Sequence, residues 1–221
     1  MCEGILLVDK PANMSSFAVV AQARRRLGVK KIGHGGTLDP FATGLLVLLV
    51  GRNFTKRADE FLQGDKHYSA CLYLGVSTDS YDCEGKEVER SDKIPTLQEI
   101  EEVLSHFQGT LQQVPPMFSA KKINGVRLYE LARKGEMVER KAVEVKVDIQ
   151  LIRYEYPELE LEVRCSKGTY IRSLAEDIGH KLGSYAHLVR LRRLSSGRFS
   201  LNDSIDLSVL KDSQIPITFL A

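Results

Sequence analysis

The chain has 221 residues, of which 43% are hydrophobic and 27% are charged, and its formal net charge is +2. These values are typical of a soluble globular protein, and they exclude a disordered or uniformly basic chain. The longest apolar run is too short to span a bilayer, and the N-terminus lacks the basic and apolar regions of a secretory signal. Cys2, Cys71, Cys83 and Cys165 form no zinc-binding spacing with the histidines, so we expect free thiols in the cytoplasm and no metal.

The first elements are a strand and a helix. Ile5 to Val8 is a short apolar run that predicts a buried strand. Phe17 to Leu27 predicts a helix, with Ser15 or Ser16 as its N-cap and Gly28 at its C-terminus. The helix ends in a basic cluster, Arg24 to Arg26 with Lys30 and Lys31. Such cations can complement the helix dipole or contact phosphates, and the sequence leaves both interpretations open.

The rest of the chain mixes strands and helices without a regular alternation. The pattern predicts loops over 33–44 and 114–124, strands over 45–50, 67–74, 143–154 and 159–165, helices over 97–107, 126–134 and 170–182, and a strand pair or short helix over 188–198. Residues 143–154 and 159–165 alternate and predict a hairpin. We therefore expect an α+β fold with a mixed, largely antiparallel sheet flanked by helices, in a single domain covering residues 1–221.

The most unusual segment is Gly33 to Gly44, GHGGTLDPFATG. Its four glycines allow sharp turns and close approach of the backbone to a ligand. Asp39 precedes Pro40, which favours an extended conformation and removes the next amide donor. The carboxylate can therefore point outward from a stiff loop, or it can cap a neighbouring amide in a structural turn. Spacing alone does not decide between the two.

This loop resembles the GHxGTLDPxATGxL motif of the TruB family of tRNA pseudouridine synthases. Further segments resemble motifs of the same family, in the family's order. They are LVDKP and SS within residues 7–16, K-x-Y at 66–68, STDSYDCEG at 77–85, PPMFSA, NG and RLY within 115–129, CSKGTYIRSL at 165–174 and LRR at 191–193. Such an ordered set is specific, and it implies the pseudouridine synthase fold with a central active-site cleft.

The resemblance implies isomerisation of uridine 55 in the T loop of tRNA to pseudouridine. This reaction breaks the N1–C1′ bond and joins C5 to C1′ without redox change, so it needs a carboxylate nucleophile but no cofactor. The family assigns the nucleophile to Asp39, and Arg172 matches the arginine that pairs with it. Tyr68 matches the tyrosine that stacks on the flipped-out uracil. We expect Arg172→Ala to reduce turnover severely and to leave the fold intact.

Four further residues match substrate-binding positions of the family. His34 matches the histidine that supports the flipped-out base by stacking in the RNA, and Leu191 matches an apolar residue of the pocket. Lys10 and Tyr170 are expected to prop the Asp39 loop and to flank the pocket. A structural role is the alternative for three residues: a core side chain for Leu191 and Tyr68, and a backbone-bonded loop histidine for His34.

We expect tRNA, bound through its T arm, to be the partner of a monomer that needs no other protein and no membrane. Folded RNA offers mainly phosphates and 2′-hydroxyls, so its contacts should be basic. The candidates are Arg24, Arg25, Arg26, Lys30, Lys31, Lys121, Lys122, Arg127, Arg190, Arg192 and Arg193. About half of them are expected to be ordinary solvated residues.

The chain departs from the family pattern at a few positions. Asn13 replaces a glycine but can adopt a positive φ, Gly35 should loosen its loop, and Phe118 lacks a hydroxyl found in the family. The small C-terminal PUA domain typical of bacterial members is expected to be absent.

Three other functions fit parts of the pattern. They are a non-catalytic RNA-binding or tRNA-folding protein, a guide-RNA-dependent relative acting in a larger particle, and a carboxylate-dependent glycosidase. Asp39 and Arg172 disfavour the first, and the compact chain disfavours the second. The third requires a second acidic partner, and none stands out.

Overall fold

A computed structural model of the protein describes residues 3–61, 63–119, 121–123, 125–211 and 219–220. Its strands are β1 (Gly4–Lys10), β2 (Ile32–Gly35), β3 (Thr43–Val50), β4 (Lys66–Leu74), β5 (Val76–Thr78), β6 (Glu87–Arg90), β7 (Gly109–Gln113), β8 (Lys122–Ile123), β9 (Val126–Arg127), β10 (Val143–Glu155), β11 (Glu158–Cys165), β12 (Ala186–Ser196), β13 (Phe199–Ser200) and β14 (Ile205–Asp206). Its α-helices are α1 (Ser16–Leu27), α2 (Arg52–Lys56), α3 (Ala58–Phe61), α4 (Leu97–Ser105), α5 (Leu128–Arg133) and α6 (Ile171–Leu182). Short 3₁₀ helices form at Leu201–Asp203 and Leu207–Leu210.

The chain divides into two compact units. The first unit comprises Met1–Ser69 and Leu191–Ala221, and the second comprises Ala70–Arg190. The chain passes from one unit to the other within β4 and returns within β12. No helix in the described ranges is long and apolar enough to cross a membrane.

In the first unit the strand order is β14-β1-β3-β12, with β2 also paired to β3 and β13 to β12. β1 and β3 are antiparallel, and β12 runs parallel to β3. One face of this sheet packs against α1, with Leu6, Val8, Leu46 and Leu48 in that core. The alternate side chains of β1 and β3 fill a second core on the opposite face. Burial on both faces explains why residues 45–50 are apolar without interruption.

Helix α1 has the ends that the sequence predicts. Ser15 is its N-cap and accepts a hydrogen bond from the amide of Ala18 at 3.2 Å, and Gly28 adopts the left-handed conformation, with φ 65°, at its C-terminus. Just before the helix, Asn13 has φ 59°, which confirms that asparagine maintains this turn in place of glycine.

The second unit contains the predicted hairpin. Its sheet has the order β4-β11-β10-β7, and β10 and β11 pair antiparallel. In β10 the buried Val145, Val147 and Ile149 alternate with exposed polar residues, as expected when one face of a sheet meets solvent. Thr96 and Glu99 form a capping box at the start of α4, the helix predicted over 97–107. The α+β class with a mixed, largely antiparallel sheet is confirmed.

Three local predictions are wrong. Residues 33–44 do not form one continuous loop, because Gly33 to Gly35 belong to β2 and pair with β3 on the side opposite β1. Gly35 is therefore a buried strand residue and does not loosen the loop. The third concerns α5, which begins at Leu128, two positions after the predicted start, because residues 126–127 pair with β8. For residues 188–198 the strand-pair alternative is confirmed, because β12 pairs antiparallel with β13.

Candidate active site

The Asp39 loop is fixed to the start of α1. The Oγ of Ser16 donates to the carbonyl of Leu38 at 3.0 Å and accepts from the amide of Leu38 at 2.9 Å. The carbonyl of Asp39 accepts from the amide of Ala42 at 3.2 Å, which closes the turn behind it. Asp39 itself is half-buried. The backbone on both sides of this carboxylate is therefore held by hydrogen bonds.

Lys10 ties the end of β1 to the same loop. Its side chain is fully buried, and its Nζ donates to the carbonyls of Pro11 at 2.8 Å, Met14 at 2.6 Å and Pro40 at 3.1 Å. A buried ammonium requires such acceptors, because the cost of removing it from water is large. Since Pro40 directly follows Asp39, this geometry supports the predicted propping role of Lys10.

Arg193 is buried beside the loop and was misinterpreted from the sequence. It is only 1% exposed, its Nε donates to the carbonyl of Leu45 at 2.7 Å, and its Nη2 donates to that of Gly36 at 3.0 Å. A Cβ atom at Gly36 would lie 3.2 Å from Nη1, and one at Gly44 would clash with the Arg193 backbone. The prediction that Arg193 contacts RNA phosphate is wrong, because its guanidinium fastens two sides of the glycine-rich segment.

His34 lies on β2, opposite Leu48 of β3. Its Nδ1 is buried and finds no hydrogen-bond partner among the described residues. Burial, and then the nearby Arg193 guanidinium, lower the pKa of His34 below its usual 6.5. The imidazole is therefore neutral at pH 7, which suits a ring that stacks or accepts a hydrogen bond.

The lowered pKa of His34 predicts a loss of stability in mild acid. The unfolded chain binds a proton at this histidine near pH 6.5, whereas the folded chain resists it. The contribution of the neutral His34 to the free energy of unfolding is therefore complete above pH 6.5 and is lost as the pH falls below that value. Melting temperatures measured from pH 7.5 to pH 5 should fall more for the wild type than for His34→Gln. Parallel curves would show that His34 does not resist protonation.

Tyr68 and Leu191 are both buried in the first unit, each 8% exposed. Leu191 lies on β12, and its carbonyl accepts from the Oγ1 of Thr43 at 3.4 Å, close to the end of the Asp39 loop. Their burial agrees with the core interpretation. The neighbouring Arg192 makes a bidentate pair with Asp9, at 3.1 and 2.6 Å, so its charge is already compensated.

In the second unit Arg172 is buried in an ion pair. It is 5% exposed, and its Nη1 lies 3.5 Å from a carboxylate oxygen of Asp82. Its guanidinium also donates to the carbonyls of Ser80 at 3.2 Å and Phe118 at 2.8 Å. Arg172 is therefore a buried, paired guanidinium and not an exposed arginine at the start of α6.

Asp82 is the functional candidate that sequence reasoning missed. Its carboxylate accepts from the Oγ of Ser80 at 2.6 Å and from the amide of Glu84 at 3.1 Å. The residues on either side of it bond to Leu188 of β12, which holds the segment in place. The STDSYDCEG match already contained Asp82, but nothing in the spacing showed that it would face Arg172.

Tyr170 precedes α6, and its backbone is held by one side chain. Gln113 of β7 accepts from the Tyr170 amide at 2.8 Å and donates to its carbonyl at 3.0 Å. This double contact fixes the start of the helix that carries Arg172. Of the predicted site residues, Lys10, His34, Asp39, Tyr68 and Leu191 belong to the first unit, whereas Tyr170 and Arg172 belong to the second.

The predicted RNA-binding cations differ in their exposure. Arg25, Lys30 and Lys31 are exposed, whereas Arg24 is half-buried and donates to the carbonyl of Ile32 at 2.9 Å. Lys121 is half-buried, and the side chain of Arg127 lies outside the described part. Arg190 pairs with two glutamates, Glu158 and Glu160, at 2.8 and 3.1 Å. The exposed cations at the end of α1 and just after it, Arg25, Lys30 and Lys31, are therefore the best candidates for phosphate contact in the first unit.

Two groups of side chains in the second unit have metal-like spacing. They are Cys71 with Glu158 and Glu160, and Glu89 with Glu176 and His180. In the first group both glutamates pair with Arg190, and burial raises the pKa of the Cys71 thiol to about 11, so it is not a thiolate at neutral pH. Neither group includes a predicted site residue.

Comparison with known families identifies the class of protein. The profile of the TruB family pseudouridylate synthase N-terminal domain matches residues 24–171, and that of the tRNA pseudouridylate synthase B C-terminal domain matches residues 172–218. The chain belongs to the TruB family of pseudouridine synthases. The predicted enzyme class and the fold expected from it are confirmed.

Curated relatives and solved structures agree with this assignment. Proteins named tRNA pseudouridine synthase B from Chlamydia muridarum and Protochlamydia amoebophila are each 57% identical over 92% of this chain, which spans 85% and 78% of their lengths. The relative of the same name from Desulfotalea psychrophila is 48% identical over 95% of this chain and 88% of its own. A chain of a Cbf5-Nop10-Gar1 complex is similar with a TM-score of 0.73 at 29% identity, over 94% of this chain and 54% of that one.

Proposed function

We propose that this protein converts uridine 55 in the T loop of tRNA to pseudouridine, without a cofactor. The observation that carries the proposal is the rigidly held Asp39 loop in a member of the TruB family. Relatives named tRNA pseudouridine synthase B, at 57% identity, support pseudouridine formation in tRNA as the reaction. We propose that residues 1–221 act as one catalytic domain.

In the proposed reaction the target uridine leaves the RNA stack and the carboxylate of Asp39 acts as the nucleophile. A fixed carboxylate loses little conformational entropy when the base arrives, which favours reaction. Ser16 and Lys10 supply that rigidity through the backbone on both sides. Tyr68 stacks on the uracil and Leu191 contributes an apolar wall, while His34 stacks as a neutral ring in the RNA.

Arg172 supports the same reaction as the second predicted catalytic group. Burial disfavours the charged form of a side chain. Here the carboxylate of Asp82 and two backbone carbonyls compensate the positive charge of the Arg172 guanidinium. Gln113 positions Tyr170 and, with it, the first turn of α6. We propose that Asp82 acts through Arg172 as a positioning residue.

The test is to incubate the protein with a tRNA T-arm transcript in the presence of EDTA, and to map pseudouridine by sequencing. One pseudouridine at position 55 is expected, with no added guide RNA, protein or cofactor. A transcript with cytidine at position 55 should remain unmodified. Modification elsewhere would refute the proposed position, and a requirement for guide RNA or a protein would favour the guide-dependent alternative.

Binding of tRNA should weaken steeply with salt, because phosphate contacts release counterions. We expect Arg25→Ala, Lys30→Ala and Lys31→Ala each to reduce the slope of log Kd against log salt by about one. Arg57→Ala is the matched control, since this exposed cation is already paired with Glu60. Equal slopes for all four variants and the wild type would show that Arg25, Lys30 and Lys31 do not contact phosphate.

A further inference from the structure

Helix α1 carries an exposed aromatic side chain. Phe17 is 65% exposed, and Leu220 is the other large hydrophobic residue that is exposed among the described residues of the first unit. The guanidinium of Arg24 lies over one face of the phenyl ring, 5.8 Å from its centroid. Single exposed hydrophobic side chains are common on protein surfaces, so exposure alone does not indicate a site. The charges and the loop near Phe17 indicate whether it belongs to a binding site.

The segment around Phe17 has charge of one sign. No aspartate or glutamate occurs between Asp9 and Asp39, whereas this interval contains lysines and arginines. Among these cations, Arg25, Lys30 and Lys31 are exposed. Exposed cations of this kind attract a polyanion from solution. An aromatic ring on the same segment as exposed cations is a combination that proteins use to bind single-stranded nucleotides, with bases stacked on rings and phosphates on cations.

Phe17 also lies next to the Asp39 loop. Its neighbour Ser16 makes both hydrogen bonds to Leu38, the residue before Asp39. Consecutive Cα atoms are about 3.8 Å apart, so the backbone of Phe17 is only one residue away from the residue that contacts the loop. Ser16 is buried against the loop, whereas Phe17 is turned to solvent.

We propose that Phe17 stacks on an unpaired base that flanks the target uridine, and that Arg24 completes this stacking surface. The proposal rests on the proposed function and adds a base-binding position to it. When the target nucleotide is extruded, its neighbours lose a stacking partner, and an aromatic face replaces that contact. The exposed Arg25, Lys30 and Lys31 hold the adjoining phosphates.

The first test measures the affinity of Phe17→Ala for a T-arm transcript. The Kd should rise between about 5-fold and 100-fold, the range found for loss of one stacked base. Phe17→Tyr should bind like the wild type, and Val88→Ala, at an equally exposed hydrophobic residue of the second unit, 61% exposed, should have no effect. The salt slope should stay that of the wild type, because no phosphate contact is removed.

The second test locates the base. Transcripts carrying 2-aminopurine beside position 55 should be quenched on binding to the wild type and remain bright with Phe17→Ala. Unchanged affinity and unchanged quenching in Phe17→Ala would overturn the proposal, as would an equal effect of Val88→Ala. If the wild type forms pseudouridine while Phe17→Ala binds normally, this inference alone fails. If Phe17→Ala binds weakly and the wild type forms no pseudouridine, the proposed function fails and the stacking contact stands.

Discussion

Replacing Asp39 by asparagine is expected to reduce the single-turnover rate of pseudouridine formation at least about a thousandfold, equivalent to about 4 kcal/mol of activation free energy. The amide keeps the size of the carboxylate but lacks the negative charge that a nucleophile needs. The fold should persist, because the backbone of the loop is held by Ser16 and Lys10. The rate is measured with enzyme in excess over a T-arm transcript, by quantifying pseudouridine at successive times.

Asp203→Asn is the matched control, since Asp203 is an exposed aspartate of the same unit. It should retain the wild-type rate. Asp39→Asn should also bind the transcript within a few-fold of the wild-type Kd, because its phosphate contacts are unchanged. A rate above one tenth of the wild-type value would rule out Asp39 as the nucleophile and would leave the family fold without its predicted chemistry.

The sequence predicted those elements whose pattern depends on local chemistry. The β10–β11 hairpin alternates between apolar and polar residues because one face is solvated. Ser15 and Gly28 mark the two ends of α1, and the capping box at Thr96 marks the start of α4. Strand β2 was missed because IGHG has no apolar alternation, and only its pairing with β3 makes it a strand. Propensity cannot reveal a strand that a tertiary contact creates.

The site shows the same division. The Asp39 loop was evident from its motif, but the sequence could not distinguish the buried Arg193 from the exposed Arg25. Both are arginines beside another arginine, and only long-range contacts with the carbonyls of Leu45 and Gly36 give Arg193 a structural role. The pairing of Asp82 with Arg172 joins residues far apart in the chain, so spacing carries no information about it.

Arg172→Ala is expected to abolish activity and also to destabilise the fold, contrary to the expectation from sequence that the fold would remain intact. Removing the guanidinium leaves the carboxylate of Asp82, with a side chain only 5% exposed, without its cation. Loss of one partner of a buried ion pair costs about 3–5 kcal/mol of unfolding free energy. The melting temperature should fall by about 10 °C, measured by circular dichroism or calorimetry.

A double variant separates the two effects. In Arg172→Ala with Asp82→Asn, the unpaired charge is gone, and the new amide can still accept the hydrogen bonds from the Ser80 hydroxyl and the Glu84 amide. Most of the lost stability should therefore return, while pseudouridine formation should remain absent because the guanidinium is still missing. Recovery of both properties would mean that Arg172 serves only to neutralise Asp82. Recovery of neither would mean that the contacts of Arg172 with the carbonyls of Ser80 and Phe118, rather than the ion pair, hold this part of the second unit together.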